Sequence, residues 1–386
     1  MEQNPSKKFR GLEITMDNIR MEEQLLPEGF DSSDFPYKPL DFFRQYGFKV
    51  SSAFPEIYKR YNGIESEKYI PASIYFYYIS PYLVNMNLSM AYVDKNMYCR
   101  HFPNVAQPHT IAHNMSERFY LSNENRPWMG GGSEITENEL VGILLRKDRF
   151  IIKPSIESGR GRDVKLVHGT KSTHDSIKEV LDTYQSNYII QDVVSQHETM
   201  GRLNQTSLNT CRLYTYRTVE KGEYVLLGAA VRFGGDGAFR DNACTGGGFC
   251  KIHNDGTIDD DVHNYRVFGH KSLYQMKGIR KLSVPNYDKV VECCIEMHKT
   301  IPYMDLIGWD IAVTPDGNPM LIELNQYPDC EFIQIFNGPM FGDYTDELME
   351  CISQHHLDCV TVYKRSFDKG HKQYEYNFEV GKAYSI

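Results

Sequence analysis

Three oxygen-bearing side chains, Asp310, Glu323 and Asn325, fall in a stretch written as two short strands around a turn. Leu306–Thr314 and Pro319–Asn325 are apolar and β-branched, and Pro315-Asp-Gly-Asn318 separates them. That is the composition of a β-hairpin. With those four residues as the loop, Thr314 faces Pro319. Counting back sets Asp310 opposite Glu323 and Gly308 opposite Asn325. Opposite residues have Cβ atoms about 4.5–5.5 Å apart. Two carboxylates that close repel unless a cation lies between them. Asn325, two residues past Glu323, faces the same way and adds a neutral oxygen. Such a set suits Mg2+, which takes hard oxygens and completes its shell with waters and substrate phosphates. The plainer alternative is an acidic hairpin with solvated carboxylates. Ile307, Trp309, Ile311, Leu321 and Ile322 weigh against it, because they make both strands read as buried. A one-residue bulge at Gly317 would shift the register.

Lys153 is the second signal. It ends the apolar run Phe150-Ile-Ile-Lys-Pro154, where an ammonium is costly to bury without an anion. The polar loop Ser155–Arg162 follows, with glycines at 159 and 161 and arginines at 160 and 162. Glycines free backbone N–H groups to wrap phosphate oxygens. The GxxxxGK[ST] order of a Walker loop is absent. Arg212 and Arg232 lie in predicted strands, where a guanidinium fork suits a γ-phosphate or a substrate carboxylate. A structural ion pair is the competing role for each.

These residues need elements to hold them. Spacing predicts helices over Glu137–Leu145, Ser172–Tyr184 and Tyr287–Thr300, and a charged helix around Met16–Leu26. Strands are expected over Arg149–Pro154, Asp163–His168, Tyr188–Val194, Asn209–Val219, Tyr224–Phe233 and around Cys250. Pro71–Ser80 is buried in character, but its period does not separate helix from strand. Mixed helices and antiparallel hairpins of this kind make an α+β protein in several subdomains.

The chain has 386 residues, 41% hydrophobic and 24% charged, an ordinary globular balance. A net charge of −9 argues against nucleic acid as a partner. Nine scattered cysteines form no CxxC pair or zinc spacing, which points to reduced thiols in the cytoplasm. No signal peptide or membrane span is written in the sequence.

Lys153, Ser158-Gly159-Arg160-Gly161, the strand ending Gln191-Asp192-Val193-Val194, and Asp310 with Glu323-Leu324-Asn325 resemble the ATP-grasp superfamily in order and spacing. Ser207–Arg212, Asp241-Asn242, Gly246-Gly-Gly-Phe249 and Asp94-Lys95-Asn96 resemble its sugar-transfer-associated, teichuronic-acid-type branch of bacterial polysaccharide biosynthesis. The resemblance covers roughly residues 90–345. It implies an ATP-grasp fold, two α+β subdomains clasping ATP, with an N-terminal accessory domain over 1–90 and a C-terminal extension over 346–386. The grasp domain would span 91–345, with nucleotide-lid and hinge parts to 195 and metal and substrate parts from 196.

Carried over by residue, Lys95, Lys153 and Ser158–Gly161 would contact phosphates. Gln191, Asp192 and Val194 would line adenine and ribose, though which of Gln191 and Asp192 faces the nucleotide stays open. Asp310, Glu323 and Asn325 would hold Mg2+, and Arg212 and Arg232 would serve catalysis. The implied activity is an ATP- and Mg2+-dependent carboxylate–amine ligase acting through an acyl phosphate on a cell-surface polysaccharide or its precursor. A kinase-like phosphotransferase on a sugar, or a non-catalytic nucleotide-binding partner of glycosyltransferases, is the alternative. Small-molecule carboxylates, amines or sugars are the expected partners, and a homodimer is left open.

Overall fold

Two of the expected helices form where apolar residues recur at 3.6-residue spacing, and each starts at a capping box. Thr136 and Glu139 exchange bonds at the head of Glu137–Leu144, and Thr173 and Ser176 at the head of His174–Tyr184. Both cover one face of an antiparallel sheet made of β1 (Thr110–Met115), β2 (Arg118–Leu121), β3 (Glu134–Ile135), β4 (Phe150–Pro154), β5 (Lys165–Val167) and β6 (Tyr188–Asp192). Its strand order is β3-β2-β1-β6-β4-β5. Phe150, Ile152, Ile177, Leu181 and Ile190 form its own core. The computed structural model describes residues 40–48, 50, 53–122, 134–156, 164–235, 237, 247–264, 271–354, 359–368 and 371–380. The expected helix at Met16–Leu26 lies outside them.

The second sheet joins β7 (Thr210–Arg217), β8 (Tyr224–Phe233) and β9 (Gly248–Ile252) to the hairpin. A short ribbon, β10 (Asp261–Val262) with β11 (Lys271–Ser272), comes between them in the chain. The hairpin strands are β12 (Leu306–Val313) and β13 (Pro319–Asn325), and the order is β13-β12-β7-β8-β9. Helix Tyr287–Lys299 packs Val290, Cys294 and Met297 into the core that holds Ile307, Trp309 and Ile311. Trp309 is fully buried, so truncating it to Ala would cost about 3–5 kcal/mol. Its Nε1 donates to Thr215 Oγ1 at 2.8 Å, and the same hydroxyl lies 2.8 Å from His298 Nδ1. His298 Nε2 is 2.9 Å from the Met304 carbonyl. Burial holds His298 down at about 4, so the ring is neutral.

Pro71–Ser80, ambiguous in sequence, is helical from Ala72, and the helix runs to Leu83 with a π-helical turn over Tyr75–Ile79 between two short α turns. Tyr58, Tyr61, Tyr69 and Tyr75 here share the core of the second sheet. Gln334 ties this region down through the Ile70 backbone, accepting from its N–H at 2.7 Å and donating to its carbonyl at 3.0 Å. A two-stranded hairpin follows, β14 (Cys359–Asp368) with β15 (His371–Val380). Neither that hairpin nor β1–β3 was expected from the sequence.

Candidate active site

The hairpin reaches the expected pairing by a different route. Val313, not Thr314, faces Pro319, so the loop runs over five residues, Thr314–Asn318. The Gly317 N–H donates to the Thr314 carbonyl at 2.8 Å, and Gly317 takes φ +79°, the left-handed region glycine adopts without strain. The register then shifts once more between Asp310 and Ile311, leaving Ile322 as an extra residue on β13. The two offsets cancel. Asp310 pairs with Glu323 and Gly308 with Asn325. A Cβ at Gly308 would meet Pro328 at 2.8 Å, so this position admits no side chain without movement.

β7 lies on the other side of β12 and puts Arg212 directly opposite Asp310, with Tyr214 opposite Gly308. Arg212, Asp310 and Glu323 therefore form one row across three strands. Arg212 Nε donates to Asp310 Oδ1 at 2.6 Å and Nη2 to Oδ2 at 2.8 Å. Arg232 Nη2, on β8, lies 3.3 Å from Asp310 Oδ1 and donates to Thr210 Oγ1 at 3.2 Å. Asn325 Nδ2 is 3.4 Å from Asp310 Oδ2. Burial alone would raise the Asp310 carboxyl, but Arg212 and Arg232 outweigh it and hold the group below the usual carboxylate range. Of the roles the sequence leaves open for Arg212, the structure shows the ion pair. Its Nε–Nη2 edge is taken up by Asp310, and its guanidinium carbon lies 5.9 Å from the Phe332 ring centroid.

Lys95 closes the row from outside the sheet. Its Nζ is 3.0 Å from Glu323 Oε1. The lysine starts a 3-10 turn whose cap is the Asp94 side chain, accepting from Asn96 N–H at 3.0 Å. The Lys95 N–H donates to the Ser155 carbonyl at 2.9 Å. Asn96 is held in turn by the Asn114 carbonyl at 3.1 Å and by His113 Nδ1 at 2.9 Å. Tyr98 accepts the Leu324 N–H at 2.8 Å, joining this turn to β13. Neither Asn114 nor Tyr98 was singled out from the sequence. They sit far from Lys95 or carry no motif, so no local signal marked them.

Lys153 enters from the first sheet. Phe150 and Ile152 face the helices, so alternation sends Lys153 to the other face. Burial, with Lys95 as a like-charge neighbour, lowers its ammonium to about 8. Gln191 pairs with Ile151 and therefore shares the Lys153 face, while Asp192 pairs with Phe150. This settles which of the two side chains faces the lysine. Gln191 Nε2 lies 3.3 Å from Thr110 Oγ1. The Asp192 carboxylate is engaged elsewhere, by Lys147 at 2.9 Å and His109 at 2.7 Å. Val194 is half-buried just past β6. Ser158, Gly159, Arg160, Gly161, Asp241-Asn242 and Gly246 lie outside the described residues.

The donor set fits Mg2+. Asp310 and Glu323 are opposite neighbours, Asn325 reaches Asp310, and all three offer hard oxygens. A carboxylate oxygen carries two lone pairs, so the guanidinium contacts leave acceptor capacity on Asp310. Among the described residues no cluster of three or more His, Cys, Asp or Glu could hold a metal ion. No helix among them is long and apolar enough to cross a membrane.

Residues 118–346, more than half of the chain, match a family described as sugar-transfer associated ATP-grasp. No curated protein matches the sequence. Solved structures resemble it loosely. D-alanine–D-alanine ligase from Bacillus anthracis is 14% identical, over 70% of this chain and 71% of that one, with a TM-score of 0.40. VanG D-Ala:D-Ser ligase from Enterococcus faecalis is 12% identical, over 70% and 64%, with a TM-score of 0.41. D-cycloserine synthetase DcsG is 13% identical, over 70% and 73%, with a TM-score of 0.38. Likenesses at these TM-scores are too slight to bear on substrate or mechanism.

Proposed function

Because the chain belongs to the sugar-transfer associated ATP-grasp family, we propose that it is an ATP-dependent, ADP-forming ligase that joins a carboxylate to an amine or similar nucleophile. The observation that carries this reading is the row Arg212–Asp310–Glu323–Lys95 faced by Lys153. It places two carboxylates among lysines from two different parts of the chain, which is a setting for a polyphosphate and a divalent cation together. Phosphoryl transfer asks the protein for position and charge neutralisation more than for a nucleophile of its own.

Lys95 and Lys153 hold the phosphates of ATP and neutralise their oxygens. Gln191, on the Lys153 face, lies toward the nucleoside end. Asp310, Glu323 and Asn325 would hold Mg2+, which when bound stabilises charge on the phosphate oxygens. Arg212 and Arg232 act through Asp310, keeping its carboxylate ionised and aimed. The substrate carboxylate oxygen attacks the γ-phosphorus, ADP leaves, and an acyl phosphate forms. The amine then attacks the acyl carbon and inorganic phosphate departs. The family's association with sugar transfer supports a sugar or sugar precursor as the carrier of the acid or the amine. An enzyme of this kind would work in the cytoplasm, where ATP is supplied.

Hydroxylamine trapping tests the reading. ATP, Mg2+, a candidate uronic or amino acid and hydroxylamine should give ADP and a hydroxamate in equal amounts. A phosphoester without hydroxamate would establish the kinase alternative, and AMP as product would remove both.

A further inference from the structure

Two buried polar groups beside the proposed phosphate site have no hydrogen-bond or ion-pair partner among the described residues. One is the Lys153 ammonium, on a residue 8% exposed. The other is the Ser155 hydroxyl, on a residue with no exposed surface. The backbone of Ser155 is fully used: its N–H donates to the Asn187 carbonyl at 2.8 Å and its carbonyl accepts from the Lys95 N–H at 2.9 Å. Ser155 is thus pinned between β6 and the turn that carries Lys95, while its side chain is left unanswered. It follows Lys153 by two residues at the end of β4, which puts both on the face turned away from Phe150 and Ile152. Buried hydroxyls are almost always bonded, so an orphan of this kind marks a missing partner.

We propose that the Ser155 hydroxyl is a ligand-binding group that donates a hydrogen bond to the phosphate chain held by Lys153 and Lys95. The inference rests on the nucleotide-phosphate reading of those two lysines. An acceptor of high charge density is what an ammonium and a hydroxyl on one strand face share, and a phosphoryl group offers several such oxygens. Asn114 Nδ2 is also unbonded, and Asn114 Oδ1 accepts from the N–H of the same Asn187 that binds Ser155. The rival is therefore a buried water bridging Ser155 and Asn114, which would make the hydroxyl structural.

Ser155→Ala separates the two. Calorimetry should show ATP and ADP binding weakened about tenfold, with adenosine binding unchanged, because the lost bond goes to a charged phosphate. The thermal midpoint without ligand should stay the same or rise, since an unbonded buried hydroxyl has been removed. Unaltered ATP affinity would overturn the proposal, and so would a lower midpoint without ligand, which a water-bridged hydroxyl requires. Lys153→Met is measured alongside. If it weakens ATP binding and Ser155→Ala does not, only the role of Ser155 falls. If neither changes ATP binding, the nucleotide reading falls with it.

Discussion

On the second sheet, Asp310 is answered by Arg212, Arg232 and Asn325 within 3.4 Å; at the end of β4, Lys153 and Ser155 have no such bonds among the described residues. Both regions are buried and both belong to one candidate site. On the proposed reading the difference is one between two ways of preparing for a charged ligand. The second sheet is pre-organised by its own ion pairs. The first sheet keeps polar groups out of water whose stabilisation, on the reading proposed above, waits on the ligand, a cost the rest of the fold must offset.

Breaking the pre-organised side should have the largest effect. Arg212→Met leaves Asp310 buried with less charge compensation and should cost about 3–5 kcal/mol in chemical denaturation. Lys153→Met should cost nothing in the same experiment, because it removes a buried ammonium without a bonded partner. Equal losses in both would erase the contrast. Glu323→Gln keeps the shape and removes a charge from the row. It should lower kcat by about 10²–10³-fold in a steady-state ADP-release assay, with stability nearly unchanged. Retained turnover would detach Glu323 from the chemistry.

Lys153→Met should weaken ATP binding by about tenfold while leaving the fold intact. The wild-type protein carries its own version of this test. The ammonium is depressed to about 8 by burial and by Lys95, and on the proposed reading the protonated form is the one that holds phosphate. ATP affinity should therefore fall as pH rises through about 8, by up to tenfold per unit. A calorimetric profile flat from pH 7 to pH 9 would count against Lys153 as a ligand group.

Acid is the perturbation under which the two regions should behave alike. His113 beside the Lys95 turn and His298 behind the second sheet are each lowered to about 4 by burial. Below about 6.5 the unfolded chain binds protons that the folded chain refuses. Stability is then full above about 6.5 and lost as pH falls toward 4, by about 1.4 kcal/mol per unit for each histidine. Denaturation midpoints unchanged across that window would contradict the burial of both rings.

The sequence made the hairpin legible because pairing across a turn is a matter of local counting. Its success owed something to cancellation, since a five-residue loop and a bulge at Ile322 offset each other. The apolar run before Lys153 and the helices over Glu137–Leu144 and His174–Tyr184 were readable from period alone. The short strands β1–β3 were not, because Thr110–Met115 and Arg118–Leu121 carry neither clean alternation nor a turn dipeptide. Alternation along Asn209–Val219 puts Arg212 on one face with Tyr214 and Tyr216, yet it does not name its partner. Nothing local says that β7 will lie beside β12.

The sequence by itself determined the chemical inventory: two carboxylates and an amide on a hairpin, a lysine at the end of an apolar strand, and arginines on the strands between. Period-two alternation and turn chemistry suffice for that, because they act over a few residues. Only the tertiary structure decided how the inventory is spent. It put Arg212 on Asp310, Lys95 on Glu323, Gln191 on the Lys153 face, and Asp192 with Lys147 and His109. Those choices follow from which strands become neighbours. That is settled by the burial of Trp309, Ile311 and the other core residues across the whole chain, not by the spacing of the charged residues themselves.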